Sequence, residues 1–293
     1  MAFTRILVAL DGSRLAEAVL PAACSLAGTL GARLALVHVL EREPPATVHG
    51  EPHLADAPEA TAYLEPLADQ LRRQGITVEV HVHERPVGDV AAALDRHAHE
   101  LGADLIAMCA HGRTNLRSRL VGSIAERILR GGGPPILLRT VRRPGDASFA
   151  LRNLLVPIDF VHDVETALSA TRTLAVPYGA TVVLLAALEP DSPGSSRLLP
   201  ATSAVMRGLD FDGLARRLAA MADDLRPELR EVRTIVDPRR PADAIIAASE
   251  ELPADLIVLV TDAHGRLSRW FDPSAAQRLL ARPDLTLLLI KEL

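Results

Sequence analysis

Residues 104–123 read DLIAMCAHGRTNLRSRLVGS, and the fold follows from how they are parsed. Leu105 to Cys109 is an apolar strand-length run that ends in His111-Gly112, and nine residues later Gly122-Ser123 opens the amphipathic stretch SIAERILR. Glycines let a backbone approach a ligand closely, and the first turn of a helix offers unpaired N–H groups and the positive end of its dipole to an anion. Strand, glycine-bounded loop and helix are therefore the grammar of a phosphate site. Ser123 with Glu126 three residues on is equally a capping box, which requires no ligand.

Working outward, strand and helix patterns alternate. RILVAL (5–10) ends at Asp11-Gly12-Ser13, and LAEAVLPAACSLAGTLG has helical spacing, with Ser13 as a candidate N-cap, a kink expected at Pro21 and Gly31 as the stop. ARLALVHVLE supplies a second strand. The polar, proline-rich segment EPPATVHGEPHLADAPEA then reads as a long loop, able to cover a site. A helix is expected over 61–74, followed by strand TVEVHVH, helix VGDVAAALDRHAHE, strand DLIAMCA, helix IAERILR and strand PILLRT. Such alternation calls for a parallel sheet covered on both faces.

The pattern breaks at VRRPGDASFA (141–150) and restarts. ILVALD at Ile6–Asp11 matches LLVPID at Leu154–Asp159, a shift of 148 residues; DLI at Asp104 matches DLI at Asp255, and HGR at His111 matches HGR at His264. The chain is a tandem duplication, with expected domains at 1–142 and 151–293 and a linker over 143–150. Each half has single-domain size.

Composition narrows the function. The 293 residues carry a net charge of −5, which disfavours nucleic acid or an anionic membrane as partner, and no apolar run approaches the ~18 residues of a membrane span. The N-terminal MAFTRILVALD shows no cleavage pattern, so a cytoplasmic protein is expected. Cys24 and Cys109 lie in apolar surroundings without metal-ligand spacing, and the paired histidines His81/His83 and His97/His99 are too few for a metal assignment. Lys291 is the single lysine, which rules out a Walker A loop or a Schiff-base enzyme in the body of the chain.

With strand-Asp at the start, then HGR, a nine-residue spacer and Gly-Ser before a final helix and strand, the chain resembles the universal stress protein family, twice over. The family pattern of Gly, two residues, Gly, nine residues, Gly and Ser or Thr stands here as Cys109, Gly112, Gly122 and Ser123; Cys109 departs from the first glycine, and its thiol would narrow a pocket. The resemblance implies two open five-stranded parallel sheets, each of order 3-2-1-4-5, as in the adenine-nucleotide α-hydrolase-like fold. It also implies ATP, with Mg²⁺ or Mn²⁺ as a candidate companion, bound where the order switches direction. Carried over one at a time, Ala9, Leu10 and Asp11 match the adenosine-side turn and Val39 an adenine contact. Met108, Cys109, His111 and Gly112 match the crevice floor and phosphate approach, followed by Arg113. Gly122, Ser123, Ile124 and Ala125 match the cradle of the terminal phosphates.

Duller roles compete. Asp11 can serve the Ser13 turn, His111 can brace a turn, and Met108 can be core.

The second half has lost the cradle: Gly122 becomes Pro273 after Asp272, and Gly12-Ser13 becomes Phe160-Val161. Proline offers no N–H and aspartate repels phosphate, yet Ser274 and Gln277 keep a helix start. Nucleotide is expected in the first half alone, with Phe160 filling the second adenosine space. The family analogy further implies a pseudo-dimer of the halves through PILLRT and LTLLLIKE, and leaves room for a homodimer. Without a paired acid and base near His111, a nucleotide-controlled stress-response switch is the leading reading, ahead of a slow ATPase and of a nucleotide-free adaptor.

Overall fold

The structure, a computed structural model, describes residues 1–110, 123–141, 149–160, 164–187, 211–261, 279, 282 and 285–292, with Glu84 and Ser123 described in their backbone alone. In the first half, β1 (Arg5–Ala9) leads through a 3₁₀ turn (Ala16–Val19) into α1 (Leu20–Leu30). Then come β2 (Arg33–Glu41), a small hairpin of β3 (Thr47–Val48) and β4 (Glu51–Pro52), α2 (Ala57–Arg73), β5 (Val78–Val87), α3 (Val90–Leu101), β6 (Leu105–Ala110), α4 (Ser123–Gly131) and β7 (Ile136–Thr140). The second half runs β8 (Asn153–Pro157), α5 (Val164–Tyr178), β9 (Thr181–Ala187), α6 (Phe211–Leu225), β10 (Glu231–Asp237), α7 (Pro241–Glu251), β11 (Leu256–Thr261) and β12 (Thr286–Lys291).

The strands form one ten-stranded sheet in the order β10-β9-β8-β11-β12-β7-β6-β1-β2-β5. Two five-stranded sheets meeting through their last strands were expected. Each half does contribute five parallel strands, but β7 and β12 pair antiparallel, with Leu137 opposite Leu288 and Arg139 opposite Thr286, so the sheet runs through. The physical reason is that both strands are apolar edges whose N–H and C=O groups need partners. Side chains reinforce this seam: Arg139, 3% exposed, donates from Nη1 to Thr286 Oγ1 at 2.8 Å, and Thr140 Oγ1 donates to the Arg282 carbonyl at 2.7 Å.

Alternation along each strand divides the core into two layers. Ile6, Val8 and Leu10 pack with α1 and α2, while Leu7 packs with α3 and α4; in the second half Leu154 and Val156 join the first layer and Leu155 the second. Both layers therefore cross the seam.

Two local expectations are corrected. Pro21 does not kink a long helix: it sits in the first turn of α1, where its missing N–H costs nothing, and the preceding residues form the 3₁₀ turn. The helix expected over 61–74 starts at Ala57 because Asp56 caps it. Asp56 Oδ1 accepts from the Glu59 N–H at 2.9 Å while Glu59 Oε2 accepts from the Ala55 N–H at 2.8 Å, a reciprocal box readable from Asp-Ala-Pro-Glu.

Candidate functional site

The strand order switches direction at β1, flanked by β2 on one side and β6 on the other. Connections leaving such a point turn to opposite faces of the sheet and open a crevice beyond the carboxyl ends of the strands. A cavity of about 380 Å³ lies there. Its floor is the end of β1 (Ala9, Leu10, Asp11) beside Val37, Val39 and Glu41 of β2 and Met108, Cys109 and Ala110 of β6. Val90 and Leu94 of α3 and Ile124 and Ala125 of α4 form an apolar wall, and Val48, His49 and His53 belong to the hairpin segment that closes the top.

Eight of the residues singled out from sequence thus meet in one cavity: Ala9, Leu10, Asp11, Val39, Met108, Cys109, Ile124 and Ala125. Ser123 begins α4. His111, Gly112, Arg113 and Gly122 lie outside the described residues.

Asp11 has a structural task. Its Oδ1 accepts from the Ser13 N–H at 2.9 Å and the Ser13 hydroxyl at 2.6 Å, and Ser13 Oγ in turn accepts from the Ala16 N–H at 3.1 Å, which starts the 3₁₀ turn. Oδ2 lies 3.6 Å from His49 Nε2, so the same carboxylate also faces the hairpin.

Cys109 packs with Ala18, Val141 and Leu15, and burial first, then the Asp11 charge, pushes its thiol up to about 12. It is a neutral packing group, on the strand face opposite Met108. Cys109→Gly is expected to cost about 1–2 kcal/mol, from the lost buried sulfur and a glycine within a strand, while changing ligand affinity less than about twofold. Urea unfolding and ligand titration of the same variant check both halves of that expectation.

The sequence reading missed the hairpin and its histidines. His49 (φ 50°) and Gly50 (φ 86°) form the tight turn between β3 and β4. Alternation of Val48 and the His49-Gly50 pair within 46–53 was the available signal, obscured by Pro44, Pro45 and Pro52 and by the next helix. The hairpin is tied down by Arg14, whose backbone N–H donates to Glu51 Oε2 at 2.7 Å, and by His53, whose Nε2 lies 3.4 Å from Glu41 Oε1.

Beneath it His38 is 2% exposed and donates from Nδ1 to the Leu10 carbonyl at 2.8 Å, leaving Nε2 without a hydrogen-bond partner. Burial, with a smaller push from His53, lowers the His38 pKa below its ordinary value. The unfolded chain therefore takes up this proton at a higher pH than the folded one. Stability is expected to fall as pH drops below ~6.5, by at most about 1.4 kcal/mol per pH unit from this group, until the folded pKa is passed. His38→Gln, which keeps a donor for Leu10, should flatten that slope in urea titrations between pH 7.5 and 5.

The second crevice is built differently. Where Gly12 turns with φ 91°, Phe160 turns with φ 57°, a left-handed conformation uncommon for an aromatic residue. Its ring packs against the core, with the Arg217 guanidinium stacked 4.4 Å from the ring centroid. Pro273, Ser274 and His264 lie outside the described residues.

An open, doubly wound α/β sheet with a ligand-sized crevice at its topological switch point defines the class. Within that class the chain belongs to the universal stress protein family, whose sequence profile matches residues 2–138 and again 150–291. A curated relative, universal stress protein YxiE of Bacillus subtilis, is 25% identical over 148 residues, covering 46% of this chain and 98% of its own. Two solved structures match along the whole length. A universal stress protein from Archaeoglobus fulgidus has TM-score 0.71 at 17% identity, covering 99% of this chain and 98% of its own. A putative universal stress protein from Pseudomonas aeruginosa has TM-score 0.64 at 20% identity, covering 99% and 94%. At these identities the likeness concerns the fold. Among the described residues no helix is long and apolar enough to cross a membrane.

Proposed function

We propose that the first half, residues 1–142, binds one adenine nucleotide, ATP in its working state, and that occupancy sets the conformation or partner choice of a cytoplasmic stress-response protein. The observation that carries this reading is the meeting, in one cavity, of the β1 end, the β2 end, the β6 end and the first turn of α4.

The residues present suit the ligand. Val37, Val39, Leu94 and Met108 offer an apolar slot of the kind a purine fills, and Asp11 and the β1–3₁₀ turn offer polar groups to a ribose. The first turn of α4 at Ser123, Ile124 and Ala125 presents the N–H groups and dipole that suit phosphate. Bound there, the nucleotide would supply charge and shape for switching. The chain would supply orientation, and the hairpin would exclude water.

In the second half, residues 151–293, Phe160 stands where a small residue would be needed, which favours a structural copy. The β7–β12 pairing supports reading the two halves as an intramolecular pseudo-dimer.

The test is to denature the purified full chain after loading with ATP and Mg²⁺ and count the nucleotide released by chromatography. About one equivalent per chain is the expected result. Two equivalents would sink the one-site reading, and none would favour a nucleotide-free adaptor. Phosphate release during the incubation reports on the slow-ATPase alternative.

A further inference from the structure

The imidazoles around the crevice differ in what holds them. His38 donates to the Leu10 carbonyl, and His53 has Nδ1 2.9 Å from the Leu54 carbonyl and Nε2 3.4 Å from Glu41 Oε1. His49 is placed otherwise. It takes the first position of the two-residue turn between β3 and β4, where Val48 stands opposite Glu51 and both turn residues need positive φ. Asparagine, aspartate or glycine meets that need most readily, so the turn itself does not ask for an imidazole.

The tip of a hairpin ordinarily sends its side chains into water. His49 as a whole is exposed, yet its side chain is 17% exposed: the backbone faces solvent, and the ring is folded inward to line the cavity. Nε2 meets Asp11 Oδ2 at 3.6 Å, longer than a hydrogen bond, while Asp11 Oδ1 serves Ser13.

We propose that His49 is a ribose-binding residue of the first crevice. With its proton on Nε2 the ring donates to a ribose hydroxyl of the bound nucleotide, and that hydroxyl donates onward to Asp11 Oδ2. The inference rests on the reading of the first half as a nucleotide site, and it makes His49 a determinant of sugar specificity.

Three observations carry it. First, an oxygen about 2.8 Å from each of two atoms 3.6 Å apart completes a triangle, so one hydroxyl bonds both ring and carboxylate. Second, the cavity is two-sided. Alternation along β2 puts Val37 and Val39 in the layer of α3, with Leu94 and Met108, and turns His38 to the opposite face. The apolar side suits a base, and the side carrying Asp11, Glu41 and the histidines suits a sugar. Third, the hairpin has separate anchors in the Arg14–Glu51 and His53–Glu41 contacts, so an inward ring at its tip is not required to fasten it.

The experiment is a calorimetric titration of the full chain with ATP and with 2′,3′-dideoxy-ATP, each with Mg²⁺, for the wild type, His49→Gly and His49→Asn. Both replacements suit a positive φ, and nucleotide-free melting temperatures at or above that of the wild type verify the fold. The wild type is expected to prefer ATP by about tenfold or more. Both variants should lose roughly three- to tenfold of that preference, entirely through weaker ATP binding, with the dideoxy affinity within about twofold of the wild type. An unchanged preference in the two variants would overturn the proposal. Equal losses for the two nucleotides would also overturn it, since His49 would then serve the cover and not the sugar. A wild type that binds neither nucleotide would remove the nucleotide reading itself. One that binds ATP, with no effect of either substitution, would leave that reading standing and remove His49 alone.

Discussion

Gly12→Phe is expected to empty the first crevice of nucleotide and to destabilise the chain by about 2–4 kcal/mol. The substitution installs the residue that the second half carries at the same point, Phe160, in a place not built for it. Gly12 turns with φ +91°, and a Cβ there would lie 2.8 Å from Leu54 Cγ and 2.9 Å from Leu54 Cδ1. An L-residue in a left-handed conformation costs roughly 1–2 kcal/mol, and displacement of Leu54 adds the loss of its packing. Leu54 ends the segment running from the hairpin to the Asp56 cap of α2, so moving it lifts the cover as well as filling the floor. Gly12→Ala separates the contributions: it carries the backbone strain and the Leu54 contact without the ring, and should cost about 1–3 kcal/mol. Chromatographic nucleotide counts and urea unfolding of both variants decide the matter. A Gly12→Phe chain that retains its nucleotide and its unfolding midpoint would show that the crevice is elsewhere.

Leu137→Asp is the change with the largest expected effect on stability, more than about 4 kcal/mol. Leu137 is fully buried in the layer shared by both halves and faces Leu288 across the antiparallel seam. Leu137→Ala alone should cost about 2–5 kcal/mol through lost burial and an unfilled cavity. The aspartate adds a carboxylate to an apolar layer, where burial penalises the charged form. Its folded pKa rises above the unfolded value of ~3.9, so the unfolded chain releases this proton first and the penalty grows as pH rises. The variant should consequently be less impaired at pH 5 than at pH 7.5. Urea unfolding at the two values tests the sign: equal losses would mean that the side chain escapes to water and that the seam opens locally.

Much of this architecture is legible in the residues. Apolar runs at 5–10, 105–109 and 135–140 and their repeats give the strands, and the duplication gives two five-strand units. Asp11, Val39, Met108 and Ala125, scattered over more than a hundred positions, are gathered into one expected crevice through the family resemblance, which supplies the strand order that dictates where carboxyl ends meet. What could not be read has a physical cause in each case. That the two last strands meet is expected from the family analogy, but their antiparallel register, with Leu137 opposite Leu288, is not, because no local pattern specifies a non-local pairing. The hairpin over the crevice is two residues per strand, too short to show periodicity. His38 looks like any interior strand residue until its hydrogen bond to Leu10 is seen.

The seam has a consequence for synthesis on the ribosome. β7 is complete well before β12 exists, since about 150 residues separate them. At 5–20 residues per second the delay is on the order of 10 s. Throughout that interval β7 is an unpaired apolar edge open to every other nascent chain nearby. Arg139 is then a solvated cation in the middle of that edge, the kind of residue that discourages edge-to-edge aggregation. Once Thr286 arrives opposite, the same guanidinium is covered and becomes a donor across the closed sheet. A single side chain thereby acts first as a guard of the half-made protein and afterwards as a fastening of the finished one.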